Sequence, residues 1–256
     1  MLASIKSEFR KLITVRSTYI LSGIALAYMI FYNFYIVGFR VGHHLIYSPS
    51  NHHYLMVEVS RAGSIAAPIL LSSIIAVLLM AHEYRYNTIM YTLTNSNSRN
   101  KSLFAKVVAV TGLTIVFALI VEILSPLLAL FGAHVDHLHL AHQIFYYRNF
   151  FGRVMFYSWA YGMIGLLLVV LFRNIVASIV ALFFIPVTIE PLIGLLLSDH
   201  MKQYLPFTAL TNVLNNGLLV NVPGQLSAVR SAITVVVYLV IGWVIAWILF
   251  LRRDAS

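Results

Sequence analysis

The sequence predicts an all-α membrane protein: six transmembrane helices with both termini in the cytoplasm, an N-terminal interfacial elbow helix, and short re-entrant helices between spans five and six. Composition is the first observation behind this. The chain has 256 residues, of which 61% are hydrophobic and 10% charged, whereas an ordinary soluble domain is about 45–50% apolar and about 25% charged. Six apolar stretches of about 20 residues each, long enough to cross a hydrocarbon core of roughly 30 Å, are the second. They occupy about half of the chain and leave no stretch for another globular domain, so residues 1–256 form a single transmembrane domain. The third is an uneven distribution of 17 basic residues against 8 acidic ones.

The elements follow in chain order. Ile5, Phe9, Leu12 and Ile13 recur at helical spacing, while Lys6, Glu8, Arg10 and Lys11 take the other faces, which predicts an amphipathic helix lying in the cytoplasmic interface. The spans are placed at about 17–38, 62–81, 107–131, 153–172, 174–197 and 231–251. The apolar run of the first exceeds a signal-peptide core and lacks a cleavage site, so it is read as a retained span. Spans four and five share only a turn at Phe172, Arg173 and Asn174 and should form a helical hairpin. Residues 198–230 are too apolar for a free loop and too interrupted for a span, and short re-entrant helices fit them. Aromatic clusters at Phe31, Tyr32, Phe34, Tyr35 and at Phe145, Tyr146, Tyr147, Phe150, Phe151 read as interfacial anchors.

Direction follows from the basic residues. Lys6, Arg10, Lys11, Arg16, Arg85, Arg99, Lys101, Lys106, Arg173, Arg252 and Arg253 fall on one side, and Arg40, Arg61, Arg148, Arg153, Lys202 and Arg230 on the other. Eleven against six puts the first group inside. The basic residues form no long run, so a nucleic-acid partner is not expected. The two halves share no repeat, which speaks against an inverted-repeat carrier.

The chemistry the chain carries is limited. The absence of Cys excludes disulfides, thiolate zinc sites and a thiol nucleophile. No phosphate-cradling Gly-rich loop ending in Lys-Ser/Thr occurs. His82-Glu83 begins like a zincin helix, but Tyr86 stands where the second His would fall. Span serines such as Ser72, Ser73, Ser125 and Ser178 lack a nucleophile setting. The expectation is a chain that is not an enzyme.

The segment 82–106 between spans two and three carries the most information. A short polar helix, a turn rich in Asn and Ser and a basic re-entry would make a compact cytoplasmic knob suited to docking. Here the sequence resembles the permease subunits of type-2 ABC exporters, whose cytoplasmic coupling loop carries an acidic-x-Arg-x-Gly-Thr pattern, a Leu, a turn with Arg, and a Lys entering the third span. The matching positions are Glu83, Arg85, Thr88, Leu93, Arg99 and Lys106. Asn87 replaces the Gly, and Asn95 to Asn97 stands where a Pro is usual; both are turn-competent. Glu8-Phe9-Arg10-Lys11-Leu12 followed by Arg16-Ser17 resembles the family's N-terminal elbow. Glu190-Pro191 and Tyr204-Leu205-Pro206-Phe207-Thr208-Ala209 resemble features of its far end.

The resemblance implies a transport subunit of an ATP-driven exporter in a bacterial plasma membrane. Two permease chains, identical or homologous, would assemble with two cytoplasmic ABC ATPase subunits. ATP and Mg would bind on those partners, and this chain would hold no cofactor. Glu83, Arg85, Thr88, Leu93 and Arg99 would couple to the ATPase, with Glu8, Phe9, Lys11 and Leu12 forming the elbow. The re-entrant helices would close the outer end of the pathway.

Two carboxylates fall within spans. Glu122 and Glu190 each lie sixteen residues from their cytoplasmic entries at Lys106 and Asn174, about 24 Å at 1.5 Å per residue. Intramembrane carboxylates are costly unless paired or wetted. Both, with Pro206 and Phe207, are candidates for the pathway or its outer gate; the alternative is a hydrogen-bonded structural Glu beside Pro126, Pro186 and Pro191. Nine of the ten His fall outside, and His134, Asp136, His137, His139 and His142 could supply metal ligands. They could equally respond to pH or serve as plain loop residues. Two other functions stay open: an ATP-independent channel or proton-coupled carrier built on Glu122 and Glu190, and a membrane anchor or sensor with His-rich outer loops.

Overall fold

The structure is a computed structural model that describes residues 2–32, 69–84, 99–135, 144–215 and 226–252. It is all-helical over those residues. The helices are α1 (Leu2–Thr14), α2 (Arg16–Phe31), α3 (Ile69–Tyr84), α4 (Arg99–Val135), α5 (Ile144–Phe172), α6 (Ile175–Phe184), α7 (Glu190–Leu196), α8 (Asp199–Lys202), α9 (Pro206–Asn215) and α10 (Ala228–Arg252), with a π-helical turn Ile185–Ile189 between α6 and α7.

Among the described residues, four helical stretches are long and apolar enough to cross a membrane: Asn100–Ser125, Phe151–Phe172, Ile175–Leu196 and Ala228–Phe250. A fifth results if α1 and α2, bent by 62° at Val15, are counted together. The chain is therefore a helical membrane protein. The second expected span, 62–81, is described only as α3, whose 16 residues reach about 24 Å at 1.5 Å each.

The segment 82–106, expected as a coupling loop that opens with a short polar helix, is helical at both described ends: α3 continues through Tyr84, and α4 begins at Arg99. Charge had marked Glu83 and Lys106 as outside the apolar windows. The two neutralise each other through an ion pair, so the helices run on through them.

Helix α5 is the hub, packing against α4, α6, α9 and α10, with 61% of its spanning window buried against 11% for Ile175–Leu196. Small residues let the helices approach, as in other membrane bundles. A Cβ on Gly165 of α5 would stand 2.9 Å from the backbone oxygen of Ser73 in α3. The exposed surface of α6, the π-turn, α7 and α10 is apolar, with Val176, Val180, Val187, Leu192, Val240 and Val244 facing outward, as a lipid-facing surface requires.

The expected turn between α5 and α6 is present. Arg173 takes a left-handed φ of 52° and donates its N–H to Val169 O at 2.9 Å, ending α5. Asn174 then caps α6, its Oδ1 accepting from the Ala177 N–H at 3.1 Å. The fifth span is helical from Ile175 to Leu196 but not α-helical throughout. Pro186 lacks an N–H and crowds the preceding turn, and the chain widens into the π-turn, closed by the Glu190 N–H donating to Ile185 O. Beyond it, α9 turns back against α5 and α10, burying Phe207, Ala209, Leu210 and Val213.

Candidate functional site

Glu8 is at the middle of α1 with Lys11 one turn on in its last turn, Glu83 is in the last turn of α3, and Lys106 is in the third turn of α4. Their side chains close a ring of alternating charge. Lys11 Nζ donates to Glu8 Oε1 at 2.7 Å and to Glu83 Oε1 at 2.5 Å. Lys106 Nζ donates to Glu8 Oε2 at 3.0 Å and to Glu83 Oε1 at 2.7 Å. Glu8, Glu83 and Lys106 are buried, and Lys11 covers the ring from a side chain 35% exposed.

Buried charges are tolerated when paired and hydrogen-bonded, and two cations against two anions leave this site neutral. Burial alone would raise the Glu83 carboxyl, but the charge of Lys106 and the hydrogen bonds from Lys106 and Lys11 outweigh it and hold the group below the usual carboxylate range. Burial pulls the Lys11 ammonium down, while its bonds to Glu8 and Glu83 carry it above the usual lysine value. Glu83 Oε2 is buried and has no hydrogen-bond partner among the described residues.

The ring lies where several described helix ends meet. The Arg173 guanidinium sits 5.7 Å from the centre of the Tyr84 ring, and Trp247 Nε1 donates to Asn100 Oδ1 at 3.1 Å. Thus α1, the end of α3, the start of α4, the α5–α6 turn and the end of α10 occupy one end of the bundle. Phe9 sets α1 on α4: a Cβ on Gly112 would be 2.6 Å from Phe9 Cζ.

The expected coupling residues divide. Glu83 belongs to the buried ring, not to an exposed knob; Arg99 opens α4; Arg85, Thr88 and Leu93 lie outside the described residues. Glu8, expected on a polar face, is buried beside Leu12, whereas Ile13, expected on the apolar stripe, is 63% exposed. The signal was in the spacing. Glu8 lies three residues after Ile5 and four before Leu12, which puts it between them on one face. Lys106, matched to the Lys that enters the third span in the exporter pattern but given no role there, shows the same kind of signal: a lone cation among Leu103, Ala105, Ala109 and Val110 needs a buried partner.

At the other carboxylate, the geometry is that of a helix cap. Glu190 Oε1 accepts from the Phe207 N–H at 2.6 Å, and Oε2 accepts from the Thr208 N–H at 2.8 Å and the Thr208 hydroxyl at 3.0 Å. The first N–H groups of α9 have no partner within their own helix, and Glu190 supplies one from across the chain. Pro206, at the first position of α9, loses nothing by lacking an N–H there. Phe207 packs edge-on against Tyr161, ring centres 5.5 Å apart. Glu190 also borders a cleft of about 710 Å³ between α7, α8 and α9. Glu122 is buried on α4.

Of the metal-ligand candidates, His134 is in the last turn of α4, while Asp136, His137, His139 and His142 lie outside the described residues. Among the described residues no three His, Asp or Glu side chains converge as a metal site would require.

No curated protein matches the chain. Over residues 19–256 the chain matches the family described as "Protein of unknown function (DUF2705)", and it belongs to that family.

Proposed function

We propose that the chain is the membrane-spanning permease subunit of an ATP-driven exporter, working as a pair of permease chains with two cytoplasmic ABC ATPase subunits. In this reading six spans cross a bacterial plasma membrane, the charged end of the bundle faces the cytoplasm, and α1 is an elbow lying in the inner interface. The eleven basic residues assigned to that side favour the orientation.

One observation carries the proposal. The two segments that resemble the exporter elbow and coupling loop are joined by the buried ring of Glu8, Lys11, Glu83 and Lys106. The connection from α3 to α4 starts and ends on the helices that hold Glu83 and Lys106. A push on residues 85–98 from a cytoplasmic partner would therefore reach α1, α3 and α4 together. In this mechanism Arg85, Thr88 and Leu93 meet the ATPase, and Glu83 transmits the movement without touching it. The chain supplies no nucleotide site; ATP and Mg stay on the partner.

The test is a mild-detergent purification of the tagged chain from its native membranes, with co-purifying chains identified and ATP hydrolysis measured. The expected result is an ATP-binding-cassette subunit that is lost with an Arg85→Ala/Thr88→Ala variant that still inserts. A chain that purifies alone and carries flux in liposomes without ATP would overturn the proposal and favour the carrier built on Glu122 and Glu190.

A further inference from the structure

The cleft between α7, α8 and α9 has two chemically different sides. Its volume of about 710 Å³ lies within the roughly 300–1,000 Å³ of small-molecule sites. Gly194 and Leu195 give it an apolar side, Thr211 contributes a hydroxyl, and the Asp199–Lys202 ion pair stands at its margin. The Glu190 carboxylate at its inner side is engaged by the three donors of α9, which leaves the Asp199–Lys202 pair as the charged feature a ligand would meet.

Depth decides what such a cleft would contain. Glu190 is sixteen residues past Asn174, and Leu195 is five further, about 31 Å along the helix at 1.5 Å per residue. With Asn174 at the inner edge of a hydrocarbon core about 30 Å thick, the apolar side would lie at the outer edge and the ion pair at headgroup level. Leu195 and Leu196 are 82% and 88% exposed there, continuing the apolar side toward the acyl region. Asp199 and Lys202 set one anion and one cation next to each other, and as an exposed pair they exchange partners at little cost. We propose that this cleft binds a zwitterionic phospholipid, with its phosphate at Lys202, its ammonium at Asp199 and the upper part of one acyl chain along Gly194 and Leu195. The proposal goes beyond the exporter reading and rests only on the membrane placement of the helix through Leu196.

The test uses the full chain in lipid nanodiscs containing phosphatidylethanolamine with a photoreactive group high in one acyl chain. Labelled peptides would be mapped, and unlabelled phosphatidylethanolamine and phosphatidylglycerol compared as competitors. Labelling is expected to concentrate on α7 and α9, with phosphatidylethanolamine the better competitor. An Asp199→Ala/Lys202→Ala variant should lower it up to about fivefold, the ceiling for exposed ion contacts. Gly194→Trp should abolish it: Gly194 lines the cleft, and a Cβ there meets only Lys202 Cβ, at 3.9 Å, so the bulk is introduced from a position open at Cβ. Labelling spread evenly over α6 and α10, or unchanged by Gly194→Trp, would overturn the proposal, as would equal competition by both lipids. Neither ATP nor a partner enters the assay, so its failure leaves the exporter reading standing, and the absence of an ATPase partner leaves this proposal standing.

Discussion

Lys106 Nζ lies 2.7 Å from Glu83 Oε1 and 3.0 Å from Glu8 Oε2, and its side chain is 1% exposed. One buried ammonium thus ties the end of α3 and the N-terminal helix to α4. Its removal leaves two buried carboxylates with only the half-open Lys11 for compensation. Lys106→Met is expected to destabilise the chain by about 3–5 kcal/mol, the cost of breaking a buried pair from one side. Adding Glu83→Gln to that variant should restore part of the loss. Thermal unfolding in detergent measures both, and a double variant no more stable than Lys106→Met would contradict the ring.

The same ring sets a pH window. The Glu83 carboxyl is held below its ordinary range, so its contribution is fully present above the unfolded value of about 4.3 and is lost as pH falls through the lowered folded value. The Lys11 ammonium is raised; its contribution is fully present below about pH 10.4 and lost as pH rises through the raised folded value. A plateau of thermal stability with a fall at each end is expected. Glu83→Gln should flatten the acid arm and Lys11→Met the alkaline arm. Arms unchanged by these variants would assign the pH dependence to other groups.

The helices were legible because a span declares itself locally, by a long apolar run. The α5–α6 hairpin was equally plain, since Arg173 and Asn174 interrupt that run. The inner faces were less so. Charge at Glu83 and Lys106 read as the border of a loop, yet each neutralises the other and both sit inside helices. Only a contact spanning 23 residues reveals this, and no periodicity encodes it. Glu190 followed the same logic. Its position in a span announced a carboxylate in need of donors, but the donors Phe207 and Thr208 lie 17 and 18 residues away at the start of a helix that turns back into the bundle. The π-turn left a partial trace in Pro186 and Pro191, which marked freed backbone groups without specifying how the helix would widen.

Glu190 satisfies three donors with two oxygens, and the amide of Gln has only one acceptor. Glu190→Gln would turn an NH₂ toward an N–H or hydroxyl donor of α9, leaving a buried donor unmatched. A loss of about 1–3 kcal/mol is expected, focused on α9. Thermal unfolding, together with faster tryptic cleavage after Lys202, would detect it. Unchanged stability and unchanged cleavage would mean that α9 holds its position without the cap.

Phe9 and Gly112 make the sharpest packing test of how α1 sits on α4. A methyl group at Gly112 would lie 2.6 Å from Phe9 Cζ and 3.0 Å from Cε1, so the ring or the whole of α1 must move. Gly112→Ala is expected to cost about 1–3 kcal/mol, as overpacking does. Phe9→Ala removes the ring's contact with α4, and because Phe9 is only partly buried its cost should fall below the roughly 3–5 kcal/mol of a fully buried Phe. The two defects answer each other: without the ring, the new methyl occupies vacated space. The double variant should therefore be more stable than the sum of the single losses predicts, with a coupling of about 0.5–3 kcal/mol. A double-mutant cycle in thermal unfolding measures this term. Strict additivity would mean that the ring and the glycine do not meet.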